Sequence, residues 1–243
     1  MIRVEAGGVV FEVEAVAFDK DGTLIDLDAA WGPAARRWVD IAGAGEAALV
    51  QDLATELGLD LETGRLVSGG IFAVGTVGQL HERTLSVLSA HGLTEADAQL
   101  VASEARTTSA IAGDAANLVA LGDVAGTFRV LMEAGLRLAI VSSDNRASID
   151  AAVVALGIGA LVDVVVSGDE GLDPKPAPDA LWEAARRMGV EPAAMLYVGD
   201  SWVDAAAGQA AGVMGIVLVG DAPPEARELA AVVVPAVDSI RLV

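Results

Sequence analysis

Phe18-Asp19-Lys20-Asp21-Gly22-Thr23-Leu24 closes an apolar run that begins at Val9 and sets two carboxylates one residue apart just beyond an expected strand. Ligands of open α/β sheets bind at the carboxyl ends of strands, so such a pair is either a site or an ordinary Asp-Gly turn. Upstream, Ile2 to Glu5 and Val9 to Phe18 flank Ala6-Gly7-Gly8, a turn signal that predicts a short N-terminal β-hairpin. Downstream of Gly122, the apolar runs Leu136 to Val141, Val162 to Val166, Met195 to Val198, Gly215 to Val219 and Val232 to Val234 alternate with helix-like segments. Strands that are apolar throughout need cover on both faces. They therefore predict an α/β fold, a doubly wound parallel sheet with crossover helices.

Between these parts, strand-like runs vanish. Ala, Leu, Glu and Gln recur at helical spacing in Glu46 to Leu57, Val77 to Ala90 and Glu95 to Ile111. The expected organisation is an α/β core built from residues 1–28 and 121–243, interrupted by an inserted α-helical cap at 29–120.

Composition narrows the function. With 53% hydrophobic and 21% charged residues the chain can bury a core, which excludes disorder. A net charge of −20 repels phosphate backbones and anionic lipid, which argues against nucleic acid and membranes as partners. The longest uncharged run, Ala205 to Gly220, falls short of the ~20 residues of a bilayer span. Arg3, Glu5, Glu12 and Glu14 break any signal-peptide core, so the expected location is cytoplasmic. The absence of cysteine removes disulfides, thiolate metal sites and thiol nucleophiles.

Three further segments carry chemistry. Ser142-Ser143-Asp144-Asn145 ends one apolar run and opens a helix, where hydroxyls and unpaired N–H groups can hold an anion; a Ser N-cap is the plainer alternative. Lys175 lies in Asp173-Pro174-Lys175-Pro176-Ala177-Pro178-Asp179, whose prolines stiffen the loop and can start a helix from Asp179 to Met188. Lys20 and Lys175 are the only lysines of the chain, and both fall inside these segments. Gly199-Asp200-Ser201-Trp202-Val203-Asp204 follows another strand, and its i, i+4 spacing would put Asp200 and Asp204 on one side of a helix start, with capping as the simpler role.

An Asp pair, a Ser at a helix start, a lone loop Lys and a Gly-Asp pair, in that order after successive core strands, resemble the motifs of the haloacid dehalogenase superfamily. The likeness is to its phosphatase branch with a helical cap inserted after the first motif, and it leaves out only the N-terminal hairpin. The resemblance implies that Asp19 attacks the phosphorus of a phosphomonoester to form an aspartyl-phosphate, and that Asp21 protonates the leaving oxygen and then deprotonates water. It also implies phosphate binding by Ser142, the backbone around Ser143 and Lys175. A Mg²⁺ ion would be held by Asp19, Asp200 and the backbone carbonyl of Asp21. Asp204 would orient Lys175 or a metal-bound water. The implied substrate is a small phosphorylated metabolite such as phosphoglycolate, acted on by a monomer or homodimer.

Asp21 argues against dehalogenation, which has no leaving alkoxide to protonate. No lysine lies between Asp21 and Asp173, which argues against a Schiff-base phosphonoacetaldehyde-type hydrolase. A sugar phosphomutase shares all four motifs and stays open. Outside this class stand a phospho-Asp receiver-like module, which would lack the large insert, and a catalytically silent binding module, which need not keep every reactive position. Within the cap, Ser68 to Gly75 is expected as a flexible segment, either facing the active site or simply joining helices. His81 and Arg83 are expected on the helix surface, with contact to the substrate's distal group as the alternative; Arg36, Arg37, Arg65 and Arg106 are further anion-contact candidates given no site role, and Trp31 and Trp38 are expected in cap packing.

Overall fold

The apolar run from Val9 to Phe18 is divided between two sheets. In the computed structural model, which describes residues 1–67, 69–109 and 118–243, β1 (Ile2–Ala6) and β2 (Val9–Val13) form the antiparallel hairpin, and β3 (Ala15–Phe18) leaves it. The division falls at Glu14, whose N–H donates to the Ala194 carbonyl (2.8 Å) and whose carbonyl accepts from the Arg137 N–H (3.1 Å). β3 thereby joins β4 (Arg137–Val141), β5 (Val164–Val166), β6 (Met195–Gly199), β7 (Gly215–Val219) and β8 (Val232–Val234) in a six-stranded parallel sheet of order β5-β4-β3-β6-β7-β8. The hairpin gains a third strand, β9 (Ile240–Leu242), which pairs antiparallel with β1. The α/β class and the doubly wound parallel sheet are as expected; the hairpin belongs to a larger antiparallel sheet.

The chain divides into two units, Met1–Asp26 with Leu118–Val243, and Leu27–Asn117. The second holds α1 (Leu27–Gly43), α2 (Ala47–Leu57), α3 (Ile71–Val74), α4 (Val77–Ala90) and α5 (Glu95–Ser109). Leu53, Leu57, Leu80, Leu88, Ala98 and Ala102 bury together around Trp38. The Trp38 indole N–H donates to Thr84 Oγ1 (2.9 Å), and its ring meets Phe72 edge-on. Trp38 is thus satisfied core, while Trp31 is only partly buried. The Gly-rich segment is not wholly irregular: Ile71–Val74 makes one helical turn, supported by Ala73 and Val74 N–H bonds to the Gly70 carbonyl. Ser68 of that segment, and residues 110 and 111 of the expected Glu95 to Ile111 helix, lie outside the described residues. Arg36, Arg65 and Arg83 pair with Asp40, Asp28 and Glu56, and Arg37 and Arg106 are exposed. Partly buried His81 meets Gln99 at 3.3 Å. Among the described residues no helix is long and apolar enough to cross a membrane.

In the first unit, α6 (Val124–Glu133), α7 (Arg146–Ala155), α8 (Asp179–Met188), α9 (Trp202–Ala211) and α10 (Pro224–Arg227) connect the strands. Strand alternation sends Phe18 to one face, where its ring lies 4.6 Å from that of Phe128 on α6. Ala15, Ala17, Ala139 and Val141 turn to the other, against Leu181 and Ala184 of α8 and Ala207 of α9. The chain steps outward from β3 through β4 to β5, then returns to β6 on the opposite side of β3 and continues to β7 and β8. This reversal opens a crevice between the carboxyl ends of β3 and β6, where α/β sheets bind ligands.

Candidate active site

The reversal brings opposite parts of the chain to one point. Asp19 follows β3 and Asp200 follows β6, and the Asp19 N–H donates to the Val198 carbonyl (2.8 Å), locking the two strand ends in register. Carboxylate oxygens of Asp19, Asp200 and Asp204 all lie within 4.8 Å of one another. The turn after Asp19 folds tightly, with the Leu24 and Ile25 N–H groups donating to the Lys20 carbonyl (2.8 and 3.1 Å). Gly22 makes it possible. Its φ is +79°, and a Cβ there would stand 2.2 Å from Asp200 Oδ2. Gly22→Ala is expected to cost about 1–2 kcal/mol from backbone strain alone, before any displacement of Asp200, read as a lower urea midpoint with an unchanged m-value. A variant as stable as the parent would contradict this close approach.

Lys175 stands at the centre. Its buried ammonium donates to Asp19 Oδ1 (2.5 Å), Asp204 Oδ1 (2.6 Å) and the Tyr197 hydroxyl (3.3 Å). Tyr197 in turn donates to Asp204 Oδ1 (2.8 Å), and the Ser201 N–H and hydroxyl donate to Asp204 Oδ2. Asp204 therefore sits in a saturated hydrogen-bond shell. Asp200 precedes α9, whose N-cap is Ser201, and its carboxylate meets that of Asp204 on one side of the helix start, as the spacing predicts. They meet because Asp200 ends the strand segment while Asp204 occupies the first helical turn in a capping box with Ser201. Gly199 allows the approach, since a Cβ there would lie 2.4 Å from that of Asp204.

Tyr197 is the residue that the sequence reasoning missed, and Lys20, noted only for the scarcity of lysine, was given no partner or role. Tyr197 is the chain's one tyrosine, set opposite Ala17 in the β3–β6 register among small Ala15, Ala17 and Ala139. That run of small partners beside a lone polar ring was the available signal. Lys20 is 2% exposed, with Nζ 2.7 Å from the Asp21 carboxylate and 3.1 Å from Asp144 Oδ2. The structure thus joins Asp19, Lys175, Asp200 and Asp204 directly, and pairs Asp21 with Lys20.

Ser142 is buried at the end of β4, its N–H donating to the Val166 carbonyl (3.1 Å) and its Oγ accepting from the Asp144 N–H (3.1 Å). It does not cap α7. Asn145 does, taking the Ser148 N–H (3.1 Å), because Ser142 and Ser143 still belong to the loop before the first turn. Ser143 is partly buried, and a Cβ at Gly168 would stand 2.1 Å from its carbonyl oxygen.

Charge is unevenly settled here. Burial, joined by repulsion from Asp204 and Asp21, lifts Asp19 to about 7 against the opposing pull of Lys175. Burial, then repulsion from Asp204 and Asp19, holds Asp200 well above the carboxylate range. Asp204 goes the other way: burial raises it, but Lys175 and the donated hydrogen bonds outweigh that and leave it low. Burial opposes the Lys175 charge, yet Asp19 and Asp204 keep it well above an ordinary lysine. Asp19 and Asp200 are thus raised first by burial and then by repulsion from their neighbours, which Lys175 offsets only in part. The donors are all hard carboxylate oxygens, which suit a hard divalent cation.

The sign of the pH dependence follows. Carboxyl groups with folded-state pKa above the unfolded value bind more protons when folded, so their stabilising effect is complete near pH 4 and is lost as pH rises through the folded-state value, about 7 for Asp19. With divalent ions chelated, Tm is expected to fall by roughly 5–10 °C between pH 5 and pH 8. Asp200→Asn should flatten that slope, which separates the site from the general self-repulsion of an acidic chain. An equal slope in parent and variant would contradict the assignment.

The haloacid dehalogenase-like hydrolase family matches residues 13–212 of this chain. The phosphoglycolate phosphatase of Escherichia coli (strain K12) is 40% identical over 89 residues, which is 37% of this chain and 35% of that enzyme. The chain spans about a third of the length of the curated relatives it matches. Among solved structures, a predicted phosphoglycolate phosphatase from Haemophilus somnus 129pt superposes with a TM-score of 0.70 at 20% identity, covering 93% of this chain and 95% of that one. The β-phosphoglucomutase of Clostridium difficile gives a TM-score of 0.63 at 20% identity, covering 93% and 92%. At such identities these two structures establish a shared fold.

Proposed function

This chain belongs to the haloacid dehalogenase-like hydrolase family, and we propose that it hydrolyses a small phosphomonoester through an aspartyl-phosphate formed on Asp19. The observation that carries this reading is the buried ammonium of Lys175, bonded at once to Asp19 and Asp204 in the crevice where the strand order reverses.

Held at one oxygen by Lys175, Asp19 presents the other for attack on phosphorus, which splits a hard hydrolysis into two displacements. Asp21 gives its proton to the leaving oxygen, then takes one from the water that cleaves the acyl phosphate. The Ser142 hydroxyl, the Ser143 backbone N–H and the Lys175 ammonium bind the phosphoryl oxygens as their charge redistributes. Asp204 orients Lys175, since Lys175, Tyr197 and Ser201 already engage both of its oxygens. A Mg²⁺ ion would be held by Asp19, Asp200 and the Asp21 backbone carbonyl, with Asp204 left to its lysine. When bound, it would offset the repulsion between a phosphate dianion and these carboxylates.

The core motifs do not separate water from a sugar hydroxyl as phosphoryl acceptor. A screen of phosphorylated metabolites, recording both phosphate release and isomer formation, tests the reading. Mg²⁺-dependent phosphate release, strongest on a small phosphorylated acid, is the expected result. Isomer formation without phosphate release would replace the hydrolase with a mutase, and neither product from any ester would overturn both.

A further inference from the structure

We infer that Lys20 is a positioning residue for Asp21, its ammonium fixing that carboxylate against the loop that carries Ser142 and Ser143. The inference rests on the reading of Asp21 as the acid and base of the reaction. A lysine 2% exposed is costly to bury unless its charge is paired, and Lys20 is paired twice, with Asp21 (2.7 Å) and with Asp144 (3.1 Å). Asp144 is itself held. Its Oδ1 accepts from the Asn145 N–H (2.7 Å) and side-chain amide (3.0 Å), its N–H donates to Ser142 Oγ (3.1 Å), and its carbonyl accepts from the Gly168 N–H (2.7 Å). A continuous set of contacts thus runs from Asp21 through Lys20 to the loop after β4. Without the ammonium, Asp21 and Asp144 would face each other as like charges.

A lysine that only stabilised the loops would affect all substrates alike. A positioning lysine acts on the proton transfer that Asp21 performs. Lys20→Met is therefore expected to lower kcat for an alkyl phosphate about tenfold more than for p-nitrophenyl phosphate, with KM moving less than about threefold. Lys20→Arg should recover part of that loss, and Asp144→Asn should reproduce part of it. In an Asp21→Asn background Lys20→Met should add less than about a twofold further loss. Equal losses on both esters, or full additivity with Asp21→Asn, would overturn the inference. If Lys20→Met does not fold, Lys20→Arg and Asp144→Asn carry the same comparison.

A second readout does not need turnover. Because Lys20 and Lys175 are the only lysines, ¹⁵N-lysine labelling gives two ammonium signals. The Lys20 signal should be protected from solvent exchange and should shift in both Asp21→Asn and Asp144→Asn. A fast-exchanging signal unmoved by either substitution would refute the pairing. Absence of leaving-group dependence in Asp21→Asn alone would instead remove the acid–base role, leaving the ammonium signals to judge the contact.

Discussion

Asp19→Asn is expected to lower turnover on the order of 10⁴-fold or more while leaving the protein folded and, at pH 8, no less stable than the parent. The first half follows from chemistry, because an amide oxygen is too weak a nucleophile to displace an alkoxide from phosphorus. The second follows from the electrostatics of the crevice. Asp19 is a buried carboxyl raised to about 7 chiefly by desolvation, with Asp204 and Asp21 repelling its charge, so replacing it with a neutral side chain of the same shape removes an unfavourable group. Lys175 keeps Asp204 as its partner. An inactive variant whose Tm equals or exceeds that of the parent marks a residue kept for reaction rather than for folding. Near-normal turnover, or loss of activity only through unfolding, would contradict the assignment.

Lys175→Met should have the opposite character. Its ammonium lies between Asp19 and Asp204 at 2.5 and 2.6 Å in a buried setting, and removing it leaves those carboxylates facing one another and Asp200 without a counter-charge. Breaking a buried pair from one side costs about 3–5 kcal/mol, so a loss of that size is expected near pH 8. The loss should shrink toward pH 5, because the stranded acids take up protons in the folded state. Urea unfolding at the two pH values measures this directly. A loss under about 1 kcal/mol, or one independent of pH, would show that the three acids do not depend on Lys175.

Much of the sheet was legible because its central strands are runs of four or five largely apolar, largely buried residues, a pattern with few other outcomes. The break at Glu14 was not, because one polar residue inside an alternating run reads as a side chain turned to solvent. Here its backbone, bonded to Ala194 and Arg137, hands the chain from one sheet to another. β9 escaped notice because three residues with two exposed positions carry no periodicity. Asp19 and Asp200 were legible as acids where strands end, and Lys175 as one of two lysines, set in a proline-stiffened loop. The partners that hold them were not. Tyr197 sits within a hydrophobic strand and resembles core until its hydroxyl is located between Lys175 and Asp204. Lys20 lies between two acids in sequence, where local spacing gives no sign that it reaches Asp144, more than a hundred residues away. Contacts made across the switch point depend on strand order, and strand order is a property of the whole chain rather than of any segment.

The most direct test is chemical trapping of the enzyme during turnover. Acid-quenched protein, reduced with borohydride and digested, should yield the peptide containing residue 19 with Asp19 converted to homoserine, dependent on substrate and absent from Asp19→Asn. Sustained phosphate release with no trapped acyl phosphate at Asp19, or with the modification on another residue, would contradict the account.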